Sequence, residues 1–179
     1  LHLGVAGRIN GSDGMFSRDL EPEVHKGDPE YLDIAIPGTN GHTTFGLEAA
    51  AVSGPFSVQA EWAQISPDLA GGNDPDLDSS YIFASYFLTG ENRPYDPAAG
   101  DFGRIDVRNE WKGAGQPGTG AWEIAARWSG TDFTEAQGIN SLANTTRGMA
   151  DVNGDGMITQ ADADALAGEM DVITLGLNW

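Results

Sequence analysis

The chain has no cysteine, which excludes disulfides and thiolate-ligated metal sites from its 179 residues. It is also poor in positive charge: 9 Lys and Arg stand against 27 Asp and Glu, a formal net charge of −18. A nucleic-acid partner needs a basic surface to displace phosphate counterions, so this composition argues against one. Long apolar runs are missing as well. No stretch approaches the roughly 18 to 20 residues of a membrane helix, and Leu1-His2-Leu3-Gly4 lacks the charged and apolar regions of a signal peptide. The three histidines, His2, His25 and His42, show no ligand spacing. There is no Ser or Cys nucleophile signature, and strand glutamates such as Glu61 and Glu123 face water or a lumen far more often than they form a catalytic dyad. The chain is therefore not read as an enzyme.

What is present is aromatic and periodic. Five Trp, 4 Tyr and 7 Phe are more than a disordered polyanion carries. Apolar and polar residues alternate in segments of about nine to eleven residues separated by turn chemistry. In 1–9, Leu1, Leu3, Val5 and Ile9 oppose His2, Gly4, Ala6 and Arg8. In 44–52, Phe45, Leu47, Ala49 and Ala51 oppose Gly46, Glu48 and Ala50; in 56–64, Phe56, Val58, Ala60 and Trp62 oppose Ser57, Gln59, Glu61 and Ala63. Segment 80–88 is more aromatic. In 121–129, Trp122, Ile124, Ala126 and Trp128 oppose Glu123, Ala125, Arg127 and Ser129, and the last run sets Ile173, Leu175, Leu177 and Trp179 against Thr174, Gly176 and Asn178. Six strands are expected, joined by a tight turn at Ser53-Gly54-Pro55 and by long connections over 10–43, 65–79, 89–120 and 130–172.

Such a pattern fits two architectures. A soluble antiparallel sandwich turns its apolar faces to a shared core. An up-and-down transmembrane β-barrel turns them to lipid and lines a lumen with the polar set. Strand length near ten residues, Trp at strand ends and small residues on the polar face favour the barrel.

Four runs sharpen this: 45–62 (FGLEAAAVSGPFSVQAEW), 85–95 (SYFLTGENRPY), 120–129 (GAWEIAARWS) and 174–179 (TLGLNW). Together, in order and at compatible spacing, they resemble the phosphate-selective porin O and P family, with a looser likeness through Pro22-Glu23-Val24-His25. The resemblance implies an all-β antiparallel barrel of about sixteen strands, of which these six would be a portion of a longer chain. It also implies residence in the outer membrane of a Gram-negative-type bacterium, contact with outer-membrane lipid, a homotrimer, and passive diffusion of small anions such as phosphate. Long segment 89–120 would fold inward to narrow the channel. The alternative is a secreted, soluble, calcium-stabilised β-sandwich that binds a partner or glycan.

An anion leaving water needs fixed positive charge or hydrogen-bond donors at a constriction. The candidates are Arg93, Arg104, Arg108 and Lys112 within 89–120, and Arg8 and Arg127 on the polar face of the strands. Glu91, Asp96, Asp101, Asp106 and Glu110 share that window. A solvated turn with local ion pairs and an inward-folded basic constriction both remain open.

A second motif lies outside the resemblance. Asp151-Val152-Asn153-Gly154-Asp155-Gly156-Met157-Ile158-Thr159-Gln160-Ala161-Asp162 carries side-chain oxygens at loop positions 1, 3, 5, 9 and 12, Gly at 6 and a backbone carbonyl from Met157 at 7. It looks like the calcium loop of EF-hand and dockerin modules. The expected Ca²⁺ ligands are Asp151, Asn153, Asp155, Met157, Thr159 and Asp162, in a motif inserted in an external loop, about 130–172, and followed by a short helix over 161–167.

Overall fold

The structure is a computed structural model and describes residues 1–20 and 31–179; Pro22, Glu23, Val24 and His25 lie outside the described residues. Strands β1 (His2–Leu20), β2 (Leu32–Ser53), β3 (Phe56–Leu69), β4 (Leu77–Phe87), β7 (Glu123–Asp132) and β8 (Glu169–Asn178) form one antiparallel sheet in the order β1-β2-β3-β4-β7-β8. Between β4 and β7 a small hairpin, β5 (Tyr95–Asp96) and β6 (Asp101–Phe102), forms a separate two-stranded sheet. One α-helix, α1 (Gln160–Leu166), follows the Asp/Asn/Gly-rich loop. Among the described residues no helix is long and apolar enough to cross a membrane.

Register follows the alternation. Gly4, Glu48, Glu61, Tyr81 and Ser129 lie across from one another on successive strands, and so do Leu3, Ala49, Ala60, Ile82 and Trp128 on the opposite face. A slip of one residue would exchange the two faces, so the pattern fixes the pairing. Hairpin 53–56 closes on Gly54, whose φ of 55° places it where glycine is favoured, with Pro55 next to it.

Two expectations need correction. Segment 10–43 is not chiefly a loop: β1 and β2 continue as a paired ladder from His2↔Ala50 out to Leu20↔Leu32, through irregularities at Gly11, Gly14 and Thr39. At 22 residues, β2 is about twice the length a tilted barrel strand needs to cross a bilayer. Alternation was blurred there by Gly38, Gly41 and the polar run between them, which bend the ladder at the bulges. The helix spans 160–166, one residue earlier than expected, because Thr159 is its N-cap.

The sheet is inside out relative to a soluble protein. Leu3, Val5, Leu47, Ile82, Ile124, Leu175 and Leu177 share one face and are all about half exposed or more. Among the described residues no second sheet covers that face, as a sandwich would require. The buried core lies elsewhere, at one end. Phe16, Leu32, Ile34, Ile36, Leu77, Phe133, Ala136 and Ala167 form a cluster against which Ile65, Leu69 and Met170 pack. A smaller cluster joins Leu142, Ala163 and Leu166, with Val152 against it.

Candidate functional site

The polar face of the sheet carries the candidate chemistry. Alternation places His2 and Arg8 on β1, Glu48 on β2, Gln59 and Glu61 on β3, Tyr81, Phe83 and Ser85 on β4, and Glu123, Arg127 and Ser129 on β7 of the same face. Neighbouring strands tie these groups together. Tyr81 donates its hydroxyl to Glu61 and accepts from Gln59 Nε2 at 2.8 Å. The Arg127 guanidinium lies 4.3 Å from the centre of the Tyr81 ring, and the Ser57 and Ser85 hydroxyls meet at 2.8 Å. Arg8 donates to Asn10 at 2.8 Å.

The segment between β4 and β7 folds across this face. At its start, Arg93 forms an ion pair with Glu123. Its guanidinium sits 5.7–5.9 Å from the ring centres of Phe83, Phe87 and Phe102. Two residues on, Tyr95 bonds His2 Nδ1 at the opposite edge of the sheet, and His2 Nε2 lies 2.9 Å from Glu48 Oε1. The β5–β6 hairpin thus spans from β7 to β1 over the polar side, and the gap beneath it is lined by Glu48, Gln59, Glu61, Tyr95, Asp101 and Phe102.

A buried carboxylate organises the rest of the segment. Glu91 is 1 % exposed and accepts from the Thr89 hydroxyl and from the Arg108 backbone N–H at 3.2 Å. Burial works against its charge, but the hydrogen bonds from Thr89 and from the Glu91 and Arg108 amides, with the Arg108 charge, hold it below the usual carboxylate range. Further along, the Trp122 and Trp179 indoles both donate to the Thr119 carbonyl, at 3.1 and 2.8 Å, and Trp111 packs edge-on against Trp179. These rings cluster at the sheet end opposite the buried core, as an interfacial aromatic belt would.

The predicted basic residues therefore separate. Arg93 is committed to Glu123 and three phenyl rings, Arg108 lies beside Glu91, and Arg127 is stacked on Tyr81. Arg104 lines a hollow together with Trp111 of the same segment and Trp179, whereas Lys112 is exposed. The structure does not gather these cations into one ring among the described residues. His2, Glu91 and Tyr95 were missed by the sequence reading, because a histidine and an acid in polar surroundings carry no signal of long-range pairing.

The Asp151–Asp162 loop is tightly wound. Asp151 accepts from the Gly154 and Asp155 amides through Oδ1 and from Gly156 through Oδ2, Asn153 accepts from Asp155, and Asp155 accepts from Met157. Asp162 is fully buried and closes the loop: Val152, Asn153 and Thr159 amides all donate to it. It also completes a capping box with Thr159 at the start of α1. These bonds, the Thr159 amide foremost, hold its carboxyl below the usual range despite burial. Among the described residues, no three acidic or histidine side chains converge at metal-binding spacing.

Comparison with known proteins agrees with this geometry. The chain is 31% identical over 141 residues to an uncharacterised protein of Caulobacter vibrioides, covering 75% of this chain and 27% of that one. It is 30% identical over 140 residues to Porin O of Pseudomonas aeruginosa, covering 76% of this chain and 26% of that protein. The chain thus spans about a quarter of the length of these relatives. The family model for phosphate-selective porin O and P matches residues 7–179, from the second turn of the alternation in β1 to the last residue. With one apolar and one polar sheet face and a match across nearly its whole length, the chain belongs to the phosphate-selective porin O and P family and is an outer-membrane protein of a Gram-negative bacterium.

Proposed function

We propose that this chain is a sector of an outer-membrane channel wall through which small anions, phosphate among them, diffuse passively. The observation that carries the channel reading is the inverted sheet. Its large apolar residues point outward to where lipid would lie, and its polar face is crossed by a segment pinned at Glu123 and at His2. Family membership favours a channel over a catalyst and supports anions as the solute. Arg8 and Arg127 on the polar face, and Arg104 in the segment that crosses it, are the cations this reading assigns to contact with a passing solute. A homotrimer is proposed on the family likeness alone. Planar-bilayer recordings of the full-length protein in a KCl gradient test the selectivity, and a reversal potential of cation-selective sign would overturn the anion assignment.

Calcium is a separate part of the proposal. The side chains of Asp151, Asn153, Asp155 and Thr159, the Met157 carbonyl and Asp162 would supply the hard oxygen ligands that Ca²⁺ takes. Support comes from the spacing and from the closed winding of the loop round Asp151 and Asp162. The ion would stiffen the connection between β7 and β8. Titration calorimetry on the full-length protein is expected to show saturable Ca²⁺ binding that Asp151→Ala with Asp155→Ala abolishes; unchanged binding discards the site.

A further inference from the structure

The connection between β7 and β8 does not stand up from the sheet end; it lies down on one face of it, and parity identifies which. Ile65 shares its face of β3 with Gln59 and Glu61, Leu77 shares its face of β4 with Tyr81 and Phe83, and Met170 on β8 sits across from Thr131, in step with Ser129 and Arg127. These positions are the apolar continuation of the polar wall, and all three pack into the cluster that holds Phe133, Ala136 and Ala167 of the connection. The outer parts of β1 and β2 bend over the same face, bringing Phe16, Ile34 and Ile36 into that cluster.

The anchor is Asn140, which is 2 % exposed. Pairing of β2 with β3 ends at Thr39↔Leu69, with one further bond from the Ala70 amide to the Gly38 carbonyl, so the backbone of 32–37 is left without a strand partner on that edge. Asn140 takes the partner's place. Its Oδ1 accepts from the Ala35 amide at 2.8 Å, and its Nδ2 donates to the carbonyls of Asp33 at 3.1 Å and Ala163 at 2.8 Å. Ser141 adds a bond from its amide to the Ala35 carbonyl at 2.9 Å, and Asp33 accepts from Thr146 and the Arg147 amide. Beside the cluster, the same face of the wall carries a hollow of about 290 Å³ lined by Glu61, Tyr81, Arg127 and Thr131 and bordered by Leu20 and Met170.

Barrels of this kind keep short turns on the periplasmic side and long loops outside, so the end opposite the tight turn at Gly54 is the external one. We propose that residues 133–168, latched to β2 by Asn140, form a fixed cap over the lumen side of that external mouth, so that solutes enter this sector only past its rim. The proposal rests on the channel reading and adds a location and a positioning residue to it. A merely stabilising loop would leave the entrance as wide without it as with it.

The test uses the full-length protein carrying Asn140→Ala, and a second version in which 137–166 is replaced by a flexible linker. Expected are a higher single-channel conductance and a larger polymer-exclusion limit for polyethylene glycol added from the external side, with no change from the periplasmic side. An unchanged external limit in a folded, heat-modifiable variant overturns the cap. If neither variant folds, Leu77→Cys in the otherwise unaltered protein decides, because Leu77 is 2 % exposed on the polar face and is covered by Phe133, Ala136 and Ala167. It is expected to react with a bulky impermeant maleimide at least about tenfold more slowly than Ala70→Cys at the exposed loop, as a site opened only by local unfolding would; equal rates overturn the proposal. Failure of the unmodified protein to conduct at all would instead remove the channel reading.

Discussion

Arg93 illustrates how a residue's chemistry depends on what surrounds it. By sequence it is a cation in a mixed-charge window, available to an anion; in the fold its charge is matched by Glu123 and enclosed by Phe83, Phe87 and Phe102. Its role is to fasten the 89–120 segment to the wall. Replacing it with Ala leaves Glu123 with Asn178 and Ser85 but no countercharge and is expected to cost about 3 kcal/mol, the low end for breaking a buried pair. Conductance should rise through a loosened segment, with anion affinity little changed; single-channel recordings and thermal unfolding together check this. Glu91 gives a pH signature. Its folded-state pKa is depressed, so its contribution is complete above the unfolded value of about 4 and is lost as pH falls through the lower folded value. Hydrogen-exchange protection over 89–120, taken relative to the intrinsic amide rate at each pH, is expected to fall in that acidic window, and Glu91→Gln should remove that fall.

Among the elements, the β1–β2 pair departs furthest from what alternation predicted. Its strands keep their pairing beyond residue 10 by way of bulges, and at one of them the two backbones approach so closely that a Cβ on Gly41 would meet the Asn10 carbonyl oxygen at 2.3 Å. Neither strand can yield there without breaking the ladder. Gly41→Val is expected to destabilise the hairpin by at least about 1 kcal/mol and to shift its outer half, detectable as loss of exchange protection at Ile34 and Ile36. The short central strands were legible because each presents four or five strict alternations. The outer hairpin was not, since Gly38-Thr39-Asn40-Gly41 interrupts the period just where the chain turns from the wall toward the buried cluster.

For the molecule as a whole, the distribution of apolar surface matters more than its amount. A hydrophobic fraction of 40% is modest for a soluble core, but here most of the large apolar residues of the central strands face outward. Leu47→Arg on that face is expected to cost about 2–4 kcal/mol in bilayers, where Gln59→Arg on the polar face should be tolerated; folding titrations into lipid vesicles distinguish the two. Charge divides similarly, with acids concentrated in the connections and both signs along the wall.

Two-residue periodicity with turn punctuation was enough to set the strands, their faces and the tight turn at Gly54, because side chains on a strand can only alternate and a buried or lipid-facing side must be uniformly apolar. The winding of the Asp/Asn/Gly loop and the cap of the helix after it were equally local, since the hydrogen bonds that Asp151, Asp155 and Asp162 accept there run between residues at most ten apart. Tertiary structure alone decided the rest: that His2 receives Tyr95 from 93 residues away, that Arg93 is enclosed, and that Asn140 completes the edge of β2 across more than 100 residues. Those contacts join surfaces brought together by the sheet's curvature and bulges, and no spacing along the chain encodes them.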